Sequence, residues 1–370
     1  MPRVSIVMPV YNGEAYLKHA IRSLLAQSFE DWELVIVDDG STDATPQILQ
    51  QYTDARIRIF RQKNGGEASA RNTGLANMTG EYMAFLDADD EYLSGALENM
   101  VSYLDNHPQD AVVFSDGYIC NEKDQQLMRL TEIRPGIFTG NVLEHLVLTP
   151  TVITVPVCTM TRIASVIKHG LSFDGKNNLY GTDWDFWIRL AVHENFGYLD
   201  KLTCKYRIHE TNITRVYGSE KLRKDNIYGR MKVLDSDWFN ALSLATKQLF
   251  FFNLLTGPLS GNAQGQRNIF ENEKFRNLPV DIRSFLWRSV GIDALQNNQD
   301  VDYARSCFQE SLNIKSNGLK TRLLLSGLTF GSPFVLVFVK LWRLFLQAKN
   351  HFFVSDRSQS QRFQKLIGIQ

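Results

Sequence analysis

Through the first 115 residues, short apolar runs alternate with segments whose apolar positions recur every three or four residues. Val4-Ser5-Ile6-Val7-Met8 reads as a buried strand closed by Pro9. Leu17, Ala20, Ile21, Leu24 and Leu25 then mark an amphipathic helix from about Glu14 to Gln27, with Asn12 as its N-cap. Leu34-Val35-Ile36-Val37 is a second strand that stops at Asp38-Asp39-Gly40, and a helix with Pro46 in its first turn follows Asp43. Ile57–Phe60 is a third strand, Glu67–Met78 a third helix, and Tyr82–Leu86 a fourth strand ending in Asp87-Ala88-Asp89-Asp90. A helix from about Ser94 to Asn106 leads to a strand at Ala111–Phe114.

This order implies βαβ units: an α/β, Rossmann-like fold with a mostly parallel sheet. Ligands bind such sheets outside the carboxyl ends of the strands. The polar clusters fall there, with Asn12 after the first strand, Asp38 and Asp39 after the second, and Asp87 and Asp89 after the fourth. From about residue 215 the pattern becomes helical, over Lys221–Ser236, Ala241–Leu255, Ile282–Gln296 and Val301–Leu312. An apolar run from Leu323 to Val339 is short for a membrane span and is broken by Gly327, Gly331 and Pro333. With Lys340, Arg343 and Gln347 on one side and Val337, Phe338, Leu341, Trp342 and Phe345 over the rest, it reads as a helix lying in an anionic membrane surface; the bland alternative is a core helix.

The length of 370 residues suggests more than one core. Forty basic residues balance forty acidic ones, so nothing in the charge points to nucleic acid. Cys120, Cys158, Cys204 and Cys307 are too scattered for a zinc or redox motif and read as reduced thiols of a cytoplasmic chain. In that compartment the sequons at Asn77 and Asn212 carry no meaning. The start of the chain reads as a first strand rather than a signal peptide.

Asp87-Ala88-Asp89 sets two carboxylates on one side of an extended segment, a hard-oxygen donor set suited to Mn2+ or Mg2+ together with substrate phosphates. Alone it is a weak signal. It occurs, however, in a series: Pro9-Val10-Tyr11-Asn12, Val37-Asp38-Asp39-Gly40-Ser41-Thr42-Asp43, Asn64-Gly65-Gly66 with Ala70-Arg71-Asn72-Thr73-Gly74, and Phe85-Leu86-Asp87-Ala88-Asp89-Asp90. The series resembles the family 2 glycosyltransferases with the GT-A fold, over roughly residues 2–215. The resemblance implies that Pro9, Tyr11 and Asn12 line the base and ribose pocket and that Asp39 hydrogen-bonds the uracil ring. It further implies that Arg71 sits near the nucleotide, that Asp87 and Ala88 face the ribose or donor sugar, and that Asp89 holds the metal. Gly181-Thr182-Asp183-Trp184 resembles the family's acceptor-side motif, with Thr182 in place of a common Glu and Asp183 as the base at a helix N-terminus. Tyr206-Arg207-Ile208-His209 resembles the closing motif, in which His209 reaches the metal or diphosphate. Asp38 and Thr42 read as turn and cap residues; Trp184 and Trp187 fit core packing as well as sugar stacking.

The expectation is a GT-A domain over residues 1–215, a helical domain over 216–320, membrane-associating apolar or amphipathic helices over 321–353, and a polar tail over 354–370. The expected activity is metal-dependent, inverting transfer of a sugar from a nucleotide-sugar, UDP-linked in the first instance, to a hydroxyl of a glycan or lipid-linked acceptor in polysaccharide or cell-envelope synthesis. Two rivals stand beside it. A nucleotidyltransferase would need a basic triphosphate loop where Tyr11-Asn12-Gly13-Glu14 stands, and a non-catalytic scaffold would not need every motif carboxylate.

Overall fold

The computed structural model describes residues 1–153, 155–175, 181–212 and 219–331, with 335 and 337. The chain divides after Ser219 into two compact units. In the first unit the strands are β1 (Val4–Val10), β2 (Trp32–Asp38), β3 (Ile57–Arg61), β4 (Tyr82–Phe85), β5 (Glu91–Tyr92), β6 (Asp110–Asn121), β7 (Gln126–Arg129), β8 (Thr159–Arg162) and β9 (Asn195–Ile208). Its α-helices are α1 (Leu17–Leu25), α2 (Thr45–Leu49), α3 (Glu67–Asn77), α4 (Ala96–Asn106), α5 (Leu143–Leu148), α6 (Ile163–Lys168) and α7 (Thr182–Ala191).

All nine strands form one sheet in the order β3-β2-β1-β4-β8-β6-β9-β5, with β7 beside β6. β1 to β4 run parallel, as their helical crossovers require. β2 is buried at every position and β1 at all but one, which is why both read as continuous apolar runs. β8 is an insertion the hydrophobic pattern does not reveal. It pairs antiparallel with both β4 and β6, so the sheet is mixed beyond β4, while β6 and β9 run parallel.

Two close approaches aim the helices. A Cβ on Gly74 would stand 2.3 Å from Val7 Cγ1, so only glycine lets α3 lie this tightly on β1. That contact puts Arg71, one turn earlier on α3, beyond the strand ends. β5, which follows Asp89-Asp90 directly, pairs antiparallel with the end of β9 (Glu91 with Lys205, Tyr92 with Cys204). Strand β9 therefore delivers His209 to the same edge as Asp89.

The expected start of α1 needs correcting. The helix begins at Leu17, its N-cap position is Tyr16, and no side chain caps it. Asn12 instead adopts a left-handed conformation (φ 52°) and accepts a hydrogen bond from the Thr42 N–H (2.8 Å), while its own N–H donates to Ser41 Oγ (2.9 Å). Its short amide side chain tolerates that conformation and stitches two ligand-edge loops together.

The second unit is helical: α8 (Ser219–Asp235, whose first residue closes the first unit), α9 (Leu244–Leu255), α10 (Ala263–Glu271), α11 (Glu273–Arg276), α12 (Val280–Asn297), α13 (Val301–Ile314) and α14 (Leu319–Gly327). Most of the expected membrane segment at 323–349, and all of the polar tail at 354–370, lie outside the described residues. In the part that is described, Leu324, Leu328 and Val335 are buried with Ala304 and Phe308, as in a core helix, whereas Leu323 and Val337 are exposed. No helix among the described residues is long and apolar enough to cross a membrane.

Candidate active site

The loop after β1 and the loop after β2 are joined by their own polar groups. Beside the Asn12 contacts, the Gly13 N–H donates to Thr45 Oγ1 (2.8 Å), the Glu14 N–H to Asp43 Oδ2 (3.0 Å) and the Ala44 N–H to Glu14 Oε2 (2.9 Å). Tyr11 is exposed above them, Pro9 and Ala88 are half-buried, and the Ala88 methyl lies 3.5 Å from where a Cβ on Gly13 would be. Asp38 acts as a turn residue, accepting from the Ser41 N–H and facing Arg61. The buried Asp39 organises the next loop. Its Oδ1 accepts from Gln62 Nε2 (2.7 Å) and the Gly65 N–H (2.9 Å), and its Oδ2 from the Gly66 N–H (2.8 Å). These three hydrogen bonds fix the turn that launches α3.

Arg71 is the hub of the site. It is 2% exposed, and its NH2 group donates both to Glu67 Oε1 (2.6 Å) and to the Asp87 carboxylate (3.1 and 3.2 Å). Its guanidinium also lies 5.5 Å from the ring centres of Phe85 and Phe173. Asn72, its neighbour, clasps the Phe173 backbone from both sides, with Nδ2 donating to the carbonyl and Oδ1 accepting from the N–H. Phe173 in turn stacks on Phe186 of α7 at 4.5 Å. The Ala-Arg-Asn stretch thus ties the donor-side strands to the helix carrying Asp183.

Asp183 lies in the first turn of α7, where Oδ1 accepts from the Trp184 N–H (2.8 Å) and Oδ2 has no partner among the described residues. It is close enough to raise the affinity of both Glu67 and Asp87 for protons. Trp187 is a core residue packed edge-on to Phe85 and Phe186, and Trp184 donates its indole N–H to the Leu146 carbonyl. For these two tryptophans packing takes the larger part.

At the far side of the site, His209 Nε2 lies 3.0 Å from Asp89 Oδ2, with Asn212 Nδ2 3.1 Å from the same oxygen and 3.2 Å from the same nitrogen. His209 Nδ1 is 2.8 Å from Thr211 Oγ1, and the ring packs on Tyr16 at 4.8 Å. Arg207 ties the frame together. Its backbone N–H donates to Asp90 Oδ1, its Nε to the Asp89 carbonyl, and its guanidinium pairs with Glu91.

The electrostatics follow from this crowding. Burial raises Asp87 above the usual carboxylate range; Arg71 opposes the shift and Asp89 adds to it. Burial likewise pushes Glu67 up to about 7, with Arg71 opposing and Asp87, Asp183 and Asp89 contributing. Asp90 is raised well above its ordinary value, by burial and then by Asp89 and Asp87, and its buried Oδ2 has no partner among the described residues.

The residues present fit a divalent cation held jointly with phosphates. Asp89 is 30% exposed, and its Oδ1 has no partner among the described residues. His209 Nε2 lies 3.0 Å from Asp89 Oδ2: with its proton on Nε2 the imidazole donates to that carboxylate, and with the proton on Nδ1, donated to Thr211 Oγ1, the Nε2 lone pair stands beside Asp89 as a second donor atom for a cation. No group of three or more His, Cys, Asp or Glu side chains that could by itself hold a metal ion is found among the described residues.

Residues 5–170 match the model described as Glycosyl transferase family 2. Through its first unit the chain belongs to glycosyl transferase family 2. An uncharacterized glycosyltransferase of Rickettsia felis is 32% identical over 209 residues, covering 56% of this chain and 33% of the relative. One from Rickettsia typhi is 29% identical over 256 residues, covering 67% of this chain and 74% of the relative. The chain thus spans about a third of the length of the first of these relatives. Residues 1–349 of S. aureus TarS, solved with UDP-GlcNAc, superpose with a TM-score of 0.58 at 20% identity, covering 84% of this chain and 91% of that one. The mannosyltransferase PcManGT of Pyrobaculum calidifontis, solved with GDP-Man and Mn2+, gives 0.52 at 16% identity, covering 85% and 88%. At these identities the likeness establishes the GT-A-type fold of the family 2 unit.

Three members of the site escaped sequence reading. Glu67 was legible in principle, since it stands four residues before Arg71 on a helix. Asn212, which sequence reading dismisses as an empty sequon, is buried and bonded to Asp89. Asp90 carries no distinguishing spacing.

Proposed function

We propose that the chain is an inverting, metal-dependent glycosyltransferase that moves a sugar from a UDP-sugar to a hydroxyl of a glycan or lipid-linked acceptor in polysaccharide or cell-envelope synthesis. The observation that carries this reading is the pairing of Asp89 with His209 at one end of a carboxylate cluster that includes Asp183. Asp39 with Pro9, Tyr11 and Asn12 would hold the nucleoside, Asp87 with Ala88 would face the donor's ribose or sugar, and Arg71 would sit near the nucleotide, holding Asp87 in place. Asp89 and His209 would hold Mn2+ or Mg2+, whose role when bound is to neutralise charge on the diphosphate. UDP is the first nucleotide to test because the TarS structures contain UDP and UDP-GlcNAc, with GDP next because PcManGT contains GDP-Man.

Asp183 takes the proton of the acceptor hydroxyl. That oxygen forms a bond to the anomeric carbon while the carbon's bond to the β-phosphate oxygen breaks, and the electron pair leaves with the nucleoside diphosphate. Attack from the face opposite the leaving group inverts the anomeric centre. The nucleotidyltransferase alternative is disfavoured at Glu14, which spends its carboxylate on the Ala44 N–H where a triphosphate loop would present bases. Product analysis separates the readings: nucleoside diphosphate release supports glycosyl transfer, pyrophosphate release supports the alternative, and donor binding without consumption by any acceptor supports a scaffold. Contact with an anionic membrane through residues 323–349 is proposed from their sequence pattern, and failure of the full chain to float with anionic vesicles would remove it.

A further inference from the structure

Tyr16 stands where two parts of the site meet. It ends the loop after β1, at the N-cap position of α1, and its backbone N–H donates to the Gly13 carbonyl (3.1 Å). The same loop is bonded to the loop after β2 through the Gly13 and Glu14 N–H groups, so the backbone of Tyr16 is tied to the loops assigned above to the nucleoside. Its half-buried side chain reaches instead to the segment at the end of β9. The ring centre lies 4.8 Å from that of His209 at an interplanar angle of 34°, and the Arg207 guanidinium carbon lies 5.2 Å from the same ring centre.

Both contacts fix orientation. Aromatic rings at this separation attract beyond the area they bury, and a guanidinium within about 6 Å of a phenol ring centre is drawn to its face. Burial raises the Tyr16 phenol above its ordinary value, with Glu122 adding and Arg207 opposing, so the ring carries no charge in neutral solution. Arg207 is anchored in turn by Asp90, the Asp89 carbonyl and Glu91, while His209 reaches Asp89 itself. Thr211 meets the imidazole at its Nδ1 edge and fixes where that atom points. The packed ring of Tyr16 restricts the tilt of the imidazole plane, which an edge contact leaves open.

We propose that Tyr16 is a positioning residue of the donor site, holding the His209 imidazole in the orientation that serves a cation beside Asp89 and so linking the nucleoside loops to the metal end. This role rests on the donor-site reading above. The ring carries it rather than the hydroxyl, since both contacts are made with the ring. Removing the ring should therefore reduce the factor by which Mn2+ tightens UDP binding and leave UDP affinity without metal as it was.

The test is calorimetric UDP binding to the full chain, with Mn2+ and with chelator, and it needs no acceptor. The proteins are wild type, Tyr16→Phe, Tyr16→Leu, His209→Ala and the Tyr16→Leu/His209→Ala double variant. The Mn2+ factor should fall by about tenfold in Tyr16→Leu, the lower end for a residue acting behind a metal ligand, and be kept in Tyr16→Phe. UDP binding in chelator should match wild type in both. In the His209→Ala background, Tyr16→Leu should cause no further fall, because residues that act through one contact are not additive. Tyr16→Met, which also fills space without a ring, carries the same expectations and replaces Tyr16→Leu should that variant fail to fold. An undiminished Mn2+ factor in the ringless variants overturns the role, as does a Tyr16→Phe protein impaired to the same degree, or an equal loss of UDP affinity with and without metal. Wild type that binds UDP without any help from Mn2+ overturns the metal reading and this role with it, and wild type that binds no UDP at all overturns the UDP-donor reading itself.

Discussion

Asp89 and His209 stand 120 residues apart in sequence and 3.0 Å apart in space. The two-residue strand β5 makes this possible, since it leaves the Asp87-Ala88-Asp89-Asp90 turn and pairs at once with the end of β9. The imidazole is oriented from behind by Thr211, whose hydroxyl lies 2.8 Å from Nδ1. Thr211→Val is therefore expected to weaken Mn2+-dependent UDP binding by about ten- to hundredfold, the usual effect of removing a partner behind a metal ligand. UDP binding in chelator should be unaffected. An equal loss in both conditions would point to general damage instead of loss of orientation.

Asp183 tests the chemistry separately from binding. Its Oδ1 takes the Trp184 N–H within the first turn of α7, a bond the amide oxygen of asparagine can also accept. Asp183→Asn should keep donor affinity while transfer falls by about 10²–10⁴-fold, the range of a lost general base. Turnover at the wild-type rate would remove Asp183 from the base position.

How much of this was legible in the sequence differs between the two halves of the sheet. β1, β2 and β4 announce themselves because each is an apolar run that stops at a polar cluster, and in a parallel sheet those stops share one edge. β8 and β9 do not. β8 is four residues long, and β9 mixes Asn195, Asp200, Lys201 and Lys205 into its run, being partly exposed along its length. Thus His209 could be linked to the site only through the family resemblance, although it is strand pairing that carries it there. Asn12 shows a different failure. A polar residue shortly before an amphipathic helix looks like a cap, but here its side chain serves the neighbouring loop at Thr42. Asn212 was missed because its partner Asp89 is brought to it only by the fold, whereas Glu67 could have been read as the residue four before Arg71 on one helix.

Glu67 also predicts how stability changes with pH. Its carboxyl is raised from 4.5 to about 7 in the folded chain, so the folded state binds its proton more tightly than the unfolded state does. The resulting stabilisation is fully present below the unfolded value and is lost as pH rises through the folded one. Between about pH 4.5 and 7 the wild type should therefore lose melting temperature that Glu67→Gln retains. Melting curves for the two proteins across this window decide the matter, and parallel pH profiles would contradict the assignment.

The central claim is that a metal-assisted nucleotide-sugar site lies at Asp89 and His209. Calorimetry of UDP binding to wild type and Asp89→Ala, each with Mn2+ and with chelator, tests it most directly. The account predicts binding to the wild type that is strengthened by Mn2+, with the metal-dependent part lost in Asp89→Ala. Mn2+-dependent binding of equal strength in both proteins would contradict it.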